Sequence, residues 1–77
     1  MHQYGVILFQ NTTAAMRMEK ALKAAGFTVQ LIPTPREFSA DCGIALRFFR
    51  PDHKKIEKII REQQLPQAGI KHLCASP

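Results

Sequence analysis

The chain of 77 residues carries eleven Lys and Arg against six Asp and Glu, a formal charge of +5, with 45% hydrophobic and 22% charged residues. That balance belongs to a folded protein rather than a disordered tail, and the length allows one domain with one small core. The longest apolar run, Val6 to Phe9, falls far short of the roughly 20 residues a membrane-spanning helix needs.

Met1-His2-Gln3 runs into the first strand without the basic stretch and cleavage site of a signal peptide, so a cytoplasmic location is expected. Residues 4–10, Tyr-Gly-Val-Ile-Leu-Phe-Gln, read as a first strand closed by Asn11-Thr12-Thr13. Residues 14–25 are rich in Ala, Met, Leu, Glu and Lys, and Met18, Ala21, Leu22 and Ala25 fall at helical spacing. Thr12 or Thr13 is the expected N-cap and Gly26 the left-handed stop.

A second strand is expected over residues 27–32, with Val29 and Leu31 on one face and Thr28 and Gln30 on the other. Pro33-Thr34-Pro35 ends it, since the prolines remove two ladder donors and hold an extended path. Arg36 to Gly43 is then a shaped connection. Alternation resumes at residues 44–48, where Ile44, Leu46 and Phe48 share a face and Phe49 falls opposite.

Arg50-Pro51-Asp52 signals the start of a second helix, whose narrow stripe is Ile56, Ile59 and Ile60 and whose solvated face is Lys54, Lys55, Lys58 and Arg61. Leu65-Pro66 closes it, and residues 69–73 form a short last strand. The order β-α-β-β-α-β predicts an α+β fold of the ferredoxin-like, split βαβ type. It has a four-stranded antiparallel sheet with two helices on one face, as a single domain over residues 1–77 with its core in residues 4–73.

With strand order 4-1-3-2, Cys42 falls at the sheet end shared by the end of strand one and the start of helix one, near Asn11 to Thr13. Cys74 falls at the other end, so a disulfide between the two is not expected. Their spacing is not Cys-x-x-Cys, and in a reducing compartment each is a free thiol. A thiol attacks only as thiolate, and its pKa falls beside a helix N-terminus or a cation. Cys42 has Arg36 in its loop and the start of helix one nearby, while Asp41 opposes them. The bland alternative is a small buried apolar side chain.

Strand one is apolar on both faces, and Ile32 and Phe49 also point away from the helices. A homodimer or partner packed on that bare sheet face is therefore expected, unless tails or long side chains cover it. His2, His53 and His72 share no metal-ligand spacing with either cysteine, and no metal or cofactor is expected.

The segment from Pro33 through Thr34-Pro35-Arg36 to Asp41-Cys42-Gly43 and on to Leu46, reached through an apolar strand and an Ala-rich helix, resembles a family of short bacterial selenium/sulfur carrier-like proteins. The likeness runs from about Tyr4 to Leu73, and its most specific parts are Thr-Pro-Arg and Cys-Gly. Phe38, where a smaller aliphatic residue is commoner, and the strongly basic second helix depart from the pattern.

The resemblance implies that Cys42 accepts a sulfane sulfur or selenium from a donor such as a cysteine desulfurase and hands it to an acceptor enzyme. Arg36 would be the anion partner, Thr34 and Ser39 hydrogen-bond donors, and Gly43, Thr12 and Thr13 neighbours that admit and steady the adduct. Such a protein is a carrier or accessory rather than a stand-alone enzyme.

The competing reading is a noncatalytic binding module or adaptor for RNA or protein, suggested by Phe48, Phe49, Arg47 and Arg50 on or beside a central strand. Against nucleic acid, the strand lacks the Lys/Arg-Gly-Phe/Tyr opening of the usual motif, and only one of the two phenylalanines can face outward.

Overall fold

A computed structural model describes residues 4–36, 38 and 43–72. The elements are β1 (Tyr4–Leu8), α1 (Thr12–Ala24), β2 (Val29–Pro33), β3 (Ile44–Phe49), a 3-10 turn (Arg50–Asp52), α2 (His53–Gln63) and β4 (Gly69–His72). The expected β-α-β-β-α-β order holds, and the sheet runs β2-β3-β1-β4, antiparallel throughout. This is the ferredoxin-like arrangement.

Helix α1 begins where Asn11 turns the chain out of β1. Asn11 is extended (φ −155°) and its Oδ1 accepts from the Ala14 N–H at 2.8 Å. The cap is therefore Asn11, one residue earlier than expected, because its carbonyl reaches the third residue beyond it as a cap must. The helix stops through a paired motif: Gly26 is left-handed at φ +93°, Gly26 N donates to Lys23 O at 3.0 Å, and Phe27 N donates to Leu22 O at 3.0 Å. That use of Phe27 explains why β2 starts at Val29 rather than at Phe27. Pro33 closes β2, which is permissible because β2 is an edge strand.

Alternation along the strands splits the apolar residues into two sets. Ile7, Phe9, Val29, Leu46 and Phe48 face the helices and pack with Ala14, Ala15, Met18, Leu22 and Ile56. Each such large side chain, once fully buried, contributes about 1.5–3 kcal/mol from apolar area removed from water. Phe48 also contacts the His53 ring edge-on, with centroids 5.5 Å apart.

The opposite sheet face is not bare. Val6, Leu8 and Ala45 are at most 4% exposed, and Ile32 and Phe38 pack against them. Phe38 reaches this face from the β2–β3 connection. The expectation of a bare sheet face is corrected at this end, where Ile32 and Phe38 pack over Val6, Leu8 and Ala45. Phe49, 41% exposed, is the large apolar side chain left open on this side.

At the opposite sheet end, His53 Nδ1 and His72 Nε2 stand 2.7 Å apart, joining the start of α2 to the edge strand β4. Such a contact needs one ring nitrogen to carry a proton and the other to accept it, so a doubly protonated pair cannot form it. Desolvation, then the charge of Arg50, then His53, hold the His72 pKa below its ordinary 6.5. The unfolded chain therefore takes up that proton more readily than the folded one, and the associated stability is present above pH 6.5 and lost as pH falls through the lower folded value. The urea midpoint is expected to fall between about pH 7 and about pH 5, and His72→Gln to flatten that fall. The groups facing His72 are Arg50, His53, Lys54 and Glu57, and Glu57 Oε1 lies 3.6 Å from His53 Nε2.

Candidate functional site

The β1–β3 and β2–β3 registers place Leu8 opposite Ala45 and Pro33 opposite Ile44, while β4 sets Gly69 opposite Leu8. The end of β1, the first turn of α1, the β2–β3 connection and the start of β4 therefore share one end of the sheet. Ala68 N completes the join by donating to Leu8 O at 2.7 Å. Of the residues expected to form the site, Thr12, Thr13, Thr34, Arg36 and Gly43 come to this end. Cys42 and Ser39 lie outside the described residues, as do Cys74 and His2.

The connection carrying Cys42 is framed at its base and pinned partway. Thr34 N donates to Gly43 O at 3.0 Å, so the prolines on either side of Thr34 leave its one ladder donor in use. Phe38 N donates to Pro35 O at 3.0 Å in a tight turn, which aims the Phe38 side chain at Val6, Leu8 and Ala45. Arg36 is exposed at that turn. Gly43 is exposed too, and a Cβ placed on it would meet no atom within 4 Å. A visiting side chain or backbone can approach the residue next to Cys42 from that side.

An open cleft of about 360 Å³ lies beside this end, lined by Gln10, Asn11, Thr13, Ala14, Arg17 and Gln67 among others. Arg17 is a cation that sequence reasoning passed over. Its signal was present, since it stands four residues after Thr13 and hence on the same helix face. With Asn11 accepting from Ala14 N, one of the N–H groups expected to face the thiol is already used.

The other sequence-nominated group resolves differently. Phe48 is 1% exposed within the helix-side core, whereas Phe49 lies on the open face, stacked on Tyr4 with centroids 5.2 Å apart. Among the described residues no three His, Cys, Asp or Glu side chains converge to hold a metal ion, and no helix is long and apolar enough to cross a membrane.

Residues 4–72 match the family described as "Putative Se/S carrier protein-like". A protein of Escherichia coli (strain K12) called "Uncharacterized protein YtiA" is 31% identical over 55 residues, which cover 71% of this chain and 65% of that protein. The chain thus matches slightly less than two thirds of that relative's length. No solved structure matches.

Proposed function

The chain belongs to the Se/S carrier protein-like family, and on that premise we propose that it carries sulfur or selenium as an adduct on Cys42 for delivery to an acceptor enzyme. The family match over residues 4–72, which spans Cys42 and its whole loop, is the observation that supports this reading.

The chemistry asks little of the fold. The Cys42 thiolate attacks the terminal sulfur of a donor's persulfide, the donor's S–S bond breaks, and the donor cysteine leaves as thiolate. Cys42 then holds the persulfide, and no external oxidant or reductant enters. A selenium atom carried as the terminal atom follows the same exchange. Release is the same step with the acceptor's thiolate as attacker. A cysteine desulfurase is the kind of donor that presents such a sulfur.

The described part of the loop suits these demands. The Thr34–Gly43 bond and the Phe38 contact fix the ends and one point of the connection, so less conformational freedom is lost there when donor and acceptor dock. In this reading Arg36, exposed at the turn, pairs with the terminal anion, and Thr34 and Ser39 are the hydrogen-bond donors to it. Open space beside Gly43 admits the donor's cysteine.

The test is intact-mass measurement after incubation with a cysteine desulfurase and cysteine. The native chain gains one sulfur atom and Cys42→Ser gains none, while Cys74→Ser behaves as native. No adduct on a folded native chain overturns the carrier reading, and an undiminished adduct on Cys42→Ser overturns the site.

A further inference from the structure

We propose that the part of the open sheet face built on Tyr4, Arg47 and Phe49 binds a single-stranded polynucleotide, a function separate from the Cys42 loop. Among the described residues, Phe38 and Ile32 pack over the end of this face at Val6, Leu8 and Ala45. Beyond them the two central strands present a ladder of flat groups. The Arg47 guanidinium lies over the Tyr4 ring at 4.5 Å, and the Tyr4 ring stacks on Phe49 with an interplanar angle of 24°. The ladder ends at Phe49, 41% exposed, so the next flat group in the stack can come from outside the molecule. A nucleobase is such a group, and aromatic rings on the central strands of a four-stranded sheet are a known way to seat one.

Polar groups beside the stack match the rest of a nucleotide. Arg47 Nη2 donates to Gln30 Oε1 at 2.8 Å, which fixes the guanidinium beside the Tyr4 ring. Thr28, Gln30, Arg47 and Phe49 border an open cleft of about 300 Å³. Lys71, opposite Val6 in the register, faces the same side and is exposed.

The charge pattern selects a polyanion over an apolar partner. None of the four described strands contains an Asp or Glu, and the carboxylates of the described residues, Glu19, Asp52, Glu57 and Glu62, all belong to helices or the 3-10 turn on the other side. The basic face of α2 is the competing surface, but there Glu57 and Glu62 interrupt the lysines and the helix carries no Phe, Tyr or Trp. Among the described residues, rings and cations without carboxylates meet on the open face.

The probes are fluorescein-labelled single strands of about ten nucleotides, one RNA and one DNA of the same sequence, read by anisotropy across a salt series. The native chain binds, and Phe49→Ala weakens binding about tenfold at fixed salt, as loss of one stacked base predicts. Phe49→Leu, which keeps the apolar bulk, weakens it similarly and so separates stacking from folding. Removing both face cations in Arg47→Gln/Lys71→Gln makes the log–log salt slope shallower by about 1.4, at about 0.7 per phosphate contact on a single strand. Lys55→Gln/Lys58→Gln leaves the Phe49→Ala ratio intact. RNA and DNA binding alike support the site, and preference for RNA adds a 2′-hydroxyl contact. No binding by the native chain at low salt overturns the proposal. So does binding that falls only in the α2 variant, or a native homodimer that Phe49→Ala dissociates.

Discussion

Gly5→Val lowers folding stability by about 3 kcal/mol or more, the upper end of what overpacking a filled core does. Gly5 lies opposite Phe48 in β3, and the Phe48 ring occupies the space a side chain at position 5 would fill. A Cβ there would run into the Phe48 ring, standing 2.9 Å from Cε1, a distance real Cβ atoms essentially never keep. Phe48 cannot step aside, because it is 1% exposed among Val29, Leu46 and the helices. The better strand propensity of Val returns at most about 1 kcal/mol, so the clash decides the sign. A domain of this size has on the order of 4–12 kcal/mol in all, and urea melts should show a large fall in midpoint with an unchanged slope. Gly5→Ala falls in between. A midpoint equal to native would mean that the ring is not held where the register puts it.

Phe38→Ala is the second large effect, and it links the fold to the loop. A fully buried Phe truncated to Ala costs about 3–5 kcal/mol, and Phe38 is half-buried, so about 2 kcal/mol is expected. The truncation uncovers Val6, Leu8 and Ala45, turning a covered patch into an exposed one. It also removes the pin that, with the Thr34–Gly43 bond, holds the connection. Local opening of the loop should become more populated, about tenfold for each 1.4 kcal/mol, and tryptic cleavage after Arg36 should accelerate in proportion. Self-association of the variant beyond that of the native chain, read by sedimentation, should accompany it. Unchanged cleavage would mean that Phe38 does not restrain the loop.

What the sequence made legible follows from how local each signal is. The alternation of Ile44, Leu46 and Phe48, the Ile56 stripe and Gly26 are read within a few residues, and the structure places each as expected. The split βαβ order then put the end of β1 and the start of β3 together, which the Leu8–Ala45 pairing bears out. Features that depend on where a distant side chain lands were not legible. Phe38 covers Val6 and Leu8 only because the loop turns at Pro35, and nothing in the apolar pattern of β1 announces that cover.

The Gly5–Phe48 contact requires the exact register, and the His53–His72 pair requires α2 and β4 to be neighbours in space. Asn11 rather than Thr12 or Thr13 caps α1 because all three are good cap residues and only the chain's exit from β1 chooses among them. At the candidate site, Thr34, Arg36 and Gly43, named from sequence, lie on the connection that carries Cys42, whereas Arg17 was missed for want of knowing which helix face meets the cleft.

The reading rests on which sulfur in the chain receives the transferred atom. Peptide-level mass mapping of the native chain after a persulfide donor, with alkylation to trap the product, answers it most directly. The account predicts the extra sulfur on the peptide containing Cys42, removable by a small thiol acting as acceptor. Extra sulfur on Cys74 instead, or a Cys42 that alkylates readily yet never gains sulfur, would contradict it.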